Sequence, residues 1–177
     1  MRKSVNIMVG RFQPFTQGHM KCVMEAWEKH GVPTVICMID VKDEKVNGSK
    51  PFPSSLLLPI YENALYSHMI DSIKLVSSAD IVKIGEMLWN DGYEIISWTC
   101  GTDRYSSYLR QSINYKTQAH LPENFDLIEV VRGDDDISAS QARQFILNND
   151  EKSFNIITGN LYNSLIFNIL RKQLLTI

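Results

Sequence analysis

The sequence predicts a doubly wound α/β domain, a parallel five-stranded sheet with a helical C-terminal end. Three observations predict it. Short apolar, β-branched runs alternate with segments of helical period five times along the chain. Thr34-Val35-Ile36-Cys37-Met38-Ile39 is apolar at almost every position, as expected of a parallel strand buried on both faces. Glycines stand where elements should stop, at Gly10, Gly31, Gly92 and Gly101. With 177 residues and 20.3 kDa, residues 1–177 are read as one domain, with a helical extension over about 150–177.

The elements follow in order. Val5 to Val9 is a short buried strand ending at Gly10. Residues 18–30 form a helix with Met20, Val23, Met24 and Trp27 on one face, stopped at Gly31. Thr34 to Ile39 is the central strand, and Asp40 ends it. Val41 to Pro53 is polar, with Lys42, Lys45 and Lys50, and reads as a mobile loop. Ser54 or Ser55 caps the next helix, which runs to about Met69 and tolerates Pro59 near its start. Ile73 to Val76 is a short strand, Ala79 to Asn90 a helix, and Glu94 to Cys100 a strand. Asp103 to about Ser112 is helical, followed by a loose polar stretch to Asn124. Phe125 to Val131 is the last strand, Ser138 to Asn148 a helix, and a helical tail reaches about Leu175. In that tail Leu161, Leu165 and Ile169, joined by Ile166 and Leu170, lie at helical spacing. They serve either packing on the domain's own sheet or a contact within a homo-oligomer.

Parallel sheets of this kind use right-handed crossovers and bind ligands beyond the carboxyl ends of the strands. The functional loops should therefore begin at Gly10, Asp40, Gly101 and Arg132.

Charge and composition exclude several classes. Lys plus Arg number 18 and Asp plus Glu 20, for a net charge of -2. A chain that grips long nucleic acid is usually basic, so phosphate chemistry here should be local and aimed at small molecules. The apolar runs are far shorter than the roughly 20 residues of a membrane span. No signal-peptide core follows the basic N-terminus, and the expected compartment is the cytoplasm. Cys22, Cys37 and Cys100 have no metal spacing and read as buried thiols. There is no G-x-S-x-G elbow and no G-x-x-x-x-G-K-[ST] loop, which argues against a hydrolase of that type and against a P-loop kinase.

The string Gly10-Arg11-Phe12-Gln13-Pro14-Phe15-Thr16-Gln17-Gly18-His19 joins a strand end, an aromatic-proline turn and a helix start. Gly10 lets backbone approach a ligand closely. Gly18 and His19 open the helix, where free amides and the dipole favour anions. Thr16 and His19, three apart, can face the same side, so hydroxyl, imidazole and amides together form a phosphate cradle. Taken alone, a histidine at a helix start is more often an ordinary polar surface residue. Near the far end lies Ile137-Ser138-Ala139-Ser140-Gln141-Ala142-Arg143. Ser138 and Gln141 have capping-box spacing, whereas Ser140 and Arg143 share a helical face suited to phosphate oxygens.

Together the two strings resemble the nucleotidyltransferases with an H-x-G-H or T-x-G-H motif and an I-S-x-[ST]-x-x-R motif. The G-R-F-Q-P-F spelling resembles the nicotinamide mononucleotide adenylyltransferases. Thr16 stands where many relatives carry the first histidine, a variant also found among phosphopantetheine adenylyltransferases. The resemblance covers Val5 to about Phe145. It implies a Rossmann-like nucleotidyltransferase fold and transfer of AMP from ATP to a phosphorylated acceptor, releasing pyrophosphate. It implies His19, Arg11, Thr16 and Arg143 as catalytic groups, and Gly10, Phe12, Gly18, Ser138 and Ser140 as nucleotide-binding residues. Gly101, Asp103 and Arg104 would receive the adenosine, although a strand-to-helix turn capped by Asp103 accounts for them equally.

Magnesium would come bound to ATP, with no metal ligands supplied by the protein. Asp134-Asp135-Asp136 reads first as favourable charge at a helix start and second as a magnesium contact. The nicotinamide-type relatives often carry an arginine just before a Pro-Phe pair, and Lys50 is its nearest substitute here. Trp89 and Trp98 are candidates for stacking on the acceptor, against a core role for both. The favoured acceptor is nicotinamide mononucleotide, giving NAD. The alternatives are phosphopantetheine, a cytidylyl transfer from CTP, or a module that binds nucleotide without turnover. The chain also resembles small virus-encoded members of the superfamily with unassigned acceptors.

Overall fold

The order of elements is β1 (Lys3–Gly10), α1 (Gln17–His30), β2 (Thr34–Ile39), α2 (Ser54–Ala64), β3 (Ile70–Val76), α3 (Ile81–Asn90) and β4 (Tyr93–Gly101). Then come α4 (Thr102–Asn114), β5 (Asp126–Val130), α5 (Asp135–Leu147), α6 (Glu151–Thr158) and α7 (Ser164–Leu175). This computed structural model describes residues 1–131 and 135–177, and for residues 135–138 the backbone alone. Arg132, the side chains of the Asp134-Asp135-Asp136 run and that of Ser138 therefore lie outside the described residues.

All strand pairings are parallel, and the order across the sheet is β3-β2-β1-β4-β5. The expected doubly wound arrangement is what forms. The strand order reverses between β1 and β4, so the switch point lies where those neighbours end, at Gly10 and Gly101.

The described residues divide into two compact units. The first holds residues 1–10, 21–39 and 67–131, and with them the whole sheet. Its core gathers Val5 and Ile7 of β1, Val35 and Cys37 of β2, and Trp98 and Cys100 of β4. Alternation sends these to one face, against Ile81, Ile84 and Leu88 of α3 and Tyr108 of α4. Cys22, Cys37 and Cys100 are all buried, and burial pushes the Cys37 thiol up to about 12. Asn6 breaks the apolar run of β1 and is fully buried. Its amide donates to Thr34 Oγ1 and Thr99 Oγ1, both at 3.0 Å, and its carbonyl accepts from Ser97 Oγ at 2.8 Å. A satisfied carboxamide shared by three strands fixes their register as well as apolar packing would.

Several boundaries differ from expectation for physical reasons. β3 begins at Ile70, before the apolar run, because an edge strand is only half-buried and needs no continuous apolar pattern. The stretch before β5 is anchored. Ala119 and Leu121 are buried, and the Ala119 carbonyl oxygen would lie 2.3 Å from a Cβ placed on Gly85 of α3. That close approach is why glycine stands inside this helix. The N-cap of α2 is Pro53. Ser54 Oγ accepts instead from the Val41 amide at 2.7 Å, while Ser54 N–H donates to the Val41 carbonyl at 2.8 Å.

The second unit holds residues 11–20, 40–66 and 135–177. The segment from Val41 to Pro53, expected to be a mobile loop, contains a 3₁₀ turn at Asp43–Lys45 and a tight turn from Asn47 to Lys50. Asn47 Oδ1 organises that turn by accepting from the Ser49 and Lys50 amides at 3.0 and 3.1 Å. The helical tail is two helices. Gly159 closes α6 in the left-handed region (φ 62°), and Asn160 follows there (φ 58°). The break moves the apolar register. Phe167, Leu170 and Leu174 are buried, Leu161 falls between the helices, and Leu165 is exposed. α5 packs on α6 and α7.

Candidate functional site

At the carboxyl edge of the sheet Gly10 ends β1 beside Met38 of β2, and Gly101 ends β4 beside Val130 of β5. α4 starts directly after Gly101, which is its N-cap and has extended backbone. Asp103 therefore does not cap this helix. It lies 3.7 Å from Arg104, with both side chains largely exposed, a pairing worth little by itself.

The two tryptophans do not form an acceptor platform. Trp98 is fully buried with its ring stacked on Tyr108 at 3.9 Å. Trp89 lies near the start of β4, at the opposite end of the strands from Gly101. Its ring stacks on His120 at 4.6 Å, and the Arg2 guanidinium lies 3.5 Å from the ring centre. Core packing and a cation–π contact occupy these rings.

The motif string from Arg11 to His19 belongs to the second unit. Arg11 is exposed, while Phe12 through Thr16 are buried. Phe12 has a left-handed backbone (φ 53°), and the Gln13–Pro14 bond is cis. The turn is held by side chains reaching its backbone from distant elements. Gln13 donates through Nε2 to the Phe52 carbonyl at 2.8 Å and accepts from the Phe52 amide through Oε1 at 2.9 Å. The Tyr61 hydroxyl of α2 donates to the Phe12 carbonyl and accepts from the Phe15 amide at 3.0 Å. The Tyr162 hydroxyl, between α6 and α7, donates to the Phe15 carbonyl at 2.7 Å. Burial pushes both phenols above their ordinary range, which keeps them protonated as donors.

His19 is buried within this frame. Thr16 immediately precedes α1, and its carbonyl accepts from the His19 and Met20 amides, each at 3.1 Å. The Thr16 amide donates back to His19 Nδ1 at 2.9 Å, and Thr16 Oγ1 lies 3.3 Å from the same nitrogen. The return bond from the Thr16 amide is one half of a capping box, with histidine in the place usual for glutamate. An N–H can only donate, so Nδ1 accepts and the ring proton of neutral His19 sits on Nε2. Phe12 meets the imidazole edge-on at 5.0 Å between centroids, and Phe15 lies at 5.1 Å. Thr16 is fully buried. Its hydroxyl, expected to hydrogen-bond phosphate, lies against His19 Nδ1.

The second motif enters the same unit. Arg143 Nη1 donates to the Gln13 carbonyl at 2.8 Å, and Nη2 donates to Ser140 Oγ at 3.0 Å. Residues far apart in sequence, from α1 and α5, thus converge on one turn. Ser140 is exposed, Arg143 and Gly18 are half-buried, and Ser138 falls in the first turn of α5 rather than before it. Of the loop lysines, Lys42 and Lys45 are exposed and Lys50 is half-buried. Among the described residues no group of three or more His, Cys, Asp or Glu side chains is placed to hold a metal ion. A cleft of about 550 Å³ opens between α2 and the α6–α7 junction, lined by Ile60, Asn63, Asn160 and Asn163 among others, and it contains none of the expected site residues.

Sequence reasoning missed Gln13, Tyr61 and Tyr162 as parts of the site. Gln13 stood inside the motif string, and Thr16-x-x-His19 already had capping-box spacing. No sequence signal marked the two tyrosines.

No family model and no curated protein matches the chain. Solved structures do. The Plasmodium falciparum nicotinic acid mononucleotide adenylyltransferase in complex with NaAD matches at TM-score 0.54 and 14% identity, over 96% of this chain and 95% of that one. The same enzyme in complex with APC gives 0.53 at 14% identity, over 96% and 95%. A candidate nicotinate-nucleotide adenylyltransferase from Vibrio parahaemolyticus gives 0.57 at 13% identity, over 97% and 94%. The chain has the fold of these structures along nearly its whole length.

Proposed function

We propose that the chain is an adenylyltransferase that transfers AMP from ATP to a pyridine mononucleotide, releasing pyrophosphate and giving a dinucleotide of the NAD type. The observation that carries this reading is the meeting of the two motifs. His19, oriented by Thr16, and Arg143, bonded to Gln13, are built onto one turn. The shared fold with structures named as adenylyltransferases supports the same reaction class. Nicotinamide mononucleotide is the favoured acceptor, on the G-R-F-Q-P-F spelling. The names of the neighbours favour its acid form, nicotinate mononucleotide, as the second.

In this reading the whole chain acts as one nucleotidyltransferase domain. The acceptor phosphate attacks the ATP α-phosphorus in line, and the α–β bridging oxygen leaves with pyrophosphate. No protein nucleophile is required; catalysis is positioning and charge stabilisation. His19 donates from Nε2 to a phosphate oxygen. Arg11 and the positive charge of Arg143 offset charge on the departing pyrophosphate, with Ser140 beside Arg143. For Gly10, Gly101, Asp103 and Arg104 a nucleotide-binding role is what the motif resemblance implies. Magnesium would come bound to ATP and would supply positive charge to offset that of the phosphates.

The test is pyrophosphate release beside calorimetric ATP binding, each with and without nicotinamide or nicotinate mononucleotide. Acceptor-dependent release of one pyrophosphate per ATP consumed is the expected result. ATP binding without release under any condition would establish a nucleotide-binding module instead.

A further inference from the structure

The C-terminal helices belong to neither motif, yet they are tied to the first one by a hydrogen bond and by packing. We infer that Tyr162, acting with Tyr61, is a positioning residue. The two phenol hydroxyls clamp the Phe12–Phe15 backbone and thereby fix the His19 imidazole that lies against Phe12 and Phe15. The inference rests on the reading of His19 as the donor to phosphate.

Phe12, Phe15 and His19 form one ring cluster, with centroids 5.0 to 5.4 Å apart. Any turn of the Phe12–Phe15 backbone moves the two rings that wall the imidazole. Three polar groups of that buried backbone are met by tyrosine hydroxyls: the Phe12 carbonyl and Phe15 amide by Tyr61, the Phe15 carbonyl by Tyr162. The Tyr61 and Tyr162 rings themselves lie 6.5 Å apart.

Tyr162 is held in turn from the C-terminal side. Its ring lies 5.7 Å from that of Phe154 in α6, which lies 5.1 Å from Phe167 in α7. The short link carrying Tyr162 is fixed at both ends, by left-handed Gly159 closing α6 and by Asn163, whose side chain caps α7. Gly159 also lies against the motif itself, for a Cβ there would come within 1.5 Å of Gln17 Nε2. The helical end thus serves as the floor on which the histidine-bearing turn is set.

The experiment compares wild type with Tyr162→Phe, Tyr61→Phe and Ile84→Val, all below their melting temperatures. Two signals are read: kcat for dinucleotide formation, and the imidazole ¹⁵N resonances of His19, assigned by its loss in His19→Gln. Tyr→Phe keeps the ring and removes only the hydroxyl. Both such variants should lose kcat on the order of 10²-fold, as expected of a displaced catalytic group, with KM for ATP near wild type. Their His19 signal should move from the single Nε2–H tautomer towards an average of the two. Ile84→Val loosens packing in the core of the sheet unit without touching the turn or the aromatic stack behind Tyr162, and should lower the melting temperature while leaving both signals in place. An unchanged His19 signal in Tyr162→Phe, or wild-type kcat in that variant, overturns the inference. Should wild type itself form no dinucleotide, the transfer reading fails, and the His19 signal alone decides whether the tyrosines hold the imidazole.

Discussion

Replacing Arg143 by lysine keeps the charge and removes the fork. In the structure the fork is partly committed inside the protein, with Nη1 on the Gln13 carbonyl at 2.8 Å and Nη2 on Ser140 Oγ at 3.0 Å. A lysine ammonium on a single stem can keep one of those contacts but cannot bridge both and still face phosphate. A hydrogen bond from a charged group contributes about 1.5–3 kcal/mol when well buried. Arg143 is only half-buried, so water replaces part of the lost contact, and the expected cost to stability is about 1 kcal/mol. For a chain of this size that is a fall in Tm of about 2–4 °C. Loss of one preorganised donor to the leaving group costs on the order of 10²–10³ in kcat. The two effects differ enough to be separated by calorimetric melting and steady-state kinetics on the same preparation. Arg143→Lys should lose kcat by that factor with a Tm shift of a few degrees. A clear fall in Tm with unchanged kcat/KM for ATP would show that Arg143 ties the motif turn and has no part in transfer.

Other expectations follow from the same contacts. His19→Ala should cost on the order of 10²–10³ in kcat with a normal circular dichroism spectrum, and Thr16→Ala should cost less, because the Thr16 amide still holds Nδ1. Equal losses in steady-state kinetics would make the Thr16 hydroxyl, rather than its amide, the group that orients the ring. Gly85→Ala places a methyl 2.3 Å from the Ala119 carbonyl oxygen, and overpacking of about 1–3 kcal/mol should outweigh the roughly 1 kcal/mol gained in helix propensity. Thermal unfolding should show a lower Tm; a higher one would contradict the close approach. At Asp126 burial raises the carboxyl, but hydrogen bonds from Lys29 and His30 outweigh it and hold the group below its usual range. Its stabilisation is therefore full above about pH 4 and lost as pH falls through the lower, folded value. The Tm difference between wild type and Asp126→Asn should accordingly shrink in acid, and a constant difference would refute it.

The sheet was legible because β2, an interior strand, is apolar on both faces and several turns are marked by glycine. The motif turn was legible as a place, since a strand end, an aromatic-proline turn and a helix start follow one another within ten residues. What holds that turn was not. Tyr61 and Tyr162 act through hydroxyls on backbone carbonyls and an amide, and such contacts impose no residue pattern along the chain. Trp98 shows the reverse case, an aromatic near a strand end that core packing claims entirely. The tail was misread in register because Leu161 and Leu165 stand at helical spacing, yet Leu161 lies in the link after left-handed Gly159 and Asn160, and α7 starts only after Asn163 caps it. Thr16 was expected beside His19 from their spacing of three at a helix start, and the two are neighbours in the structure.

One measurement tests the central claim directly. The purified chain is incubated with ATP and magnesium and, in parallel, with nicotinamide mononucleotide, nicotinate mononucleotide, phosphopantetheine or no acceptor, and the products are read by mass spectrometry. The account predicts a dinucleotide equal to the mononucleotide plus AMP, with an equivalent of pyrophosphate, in a pyridine mononucleotide reaction and not in the other two. Adenylylated phosphopantetheine, or ATP left intact with every acceptor, would contradict it.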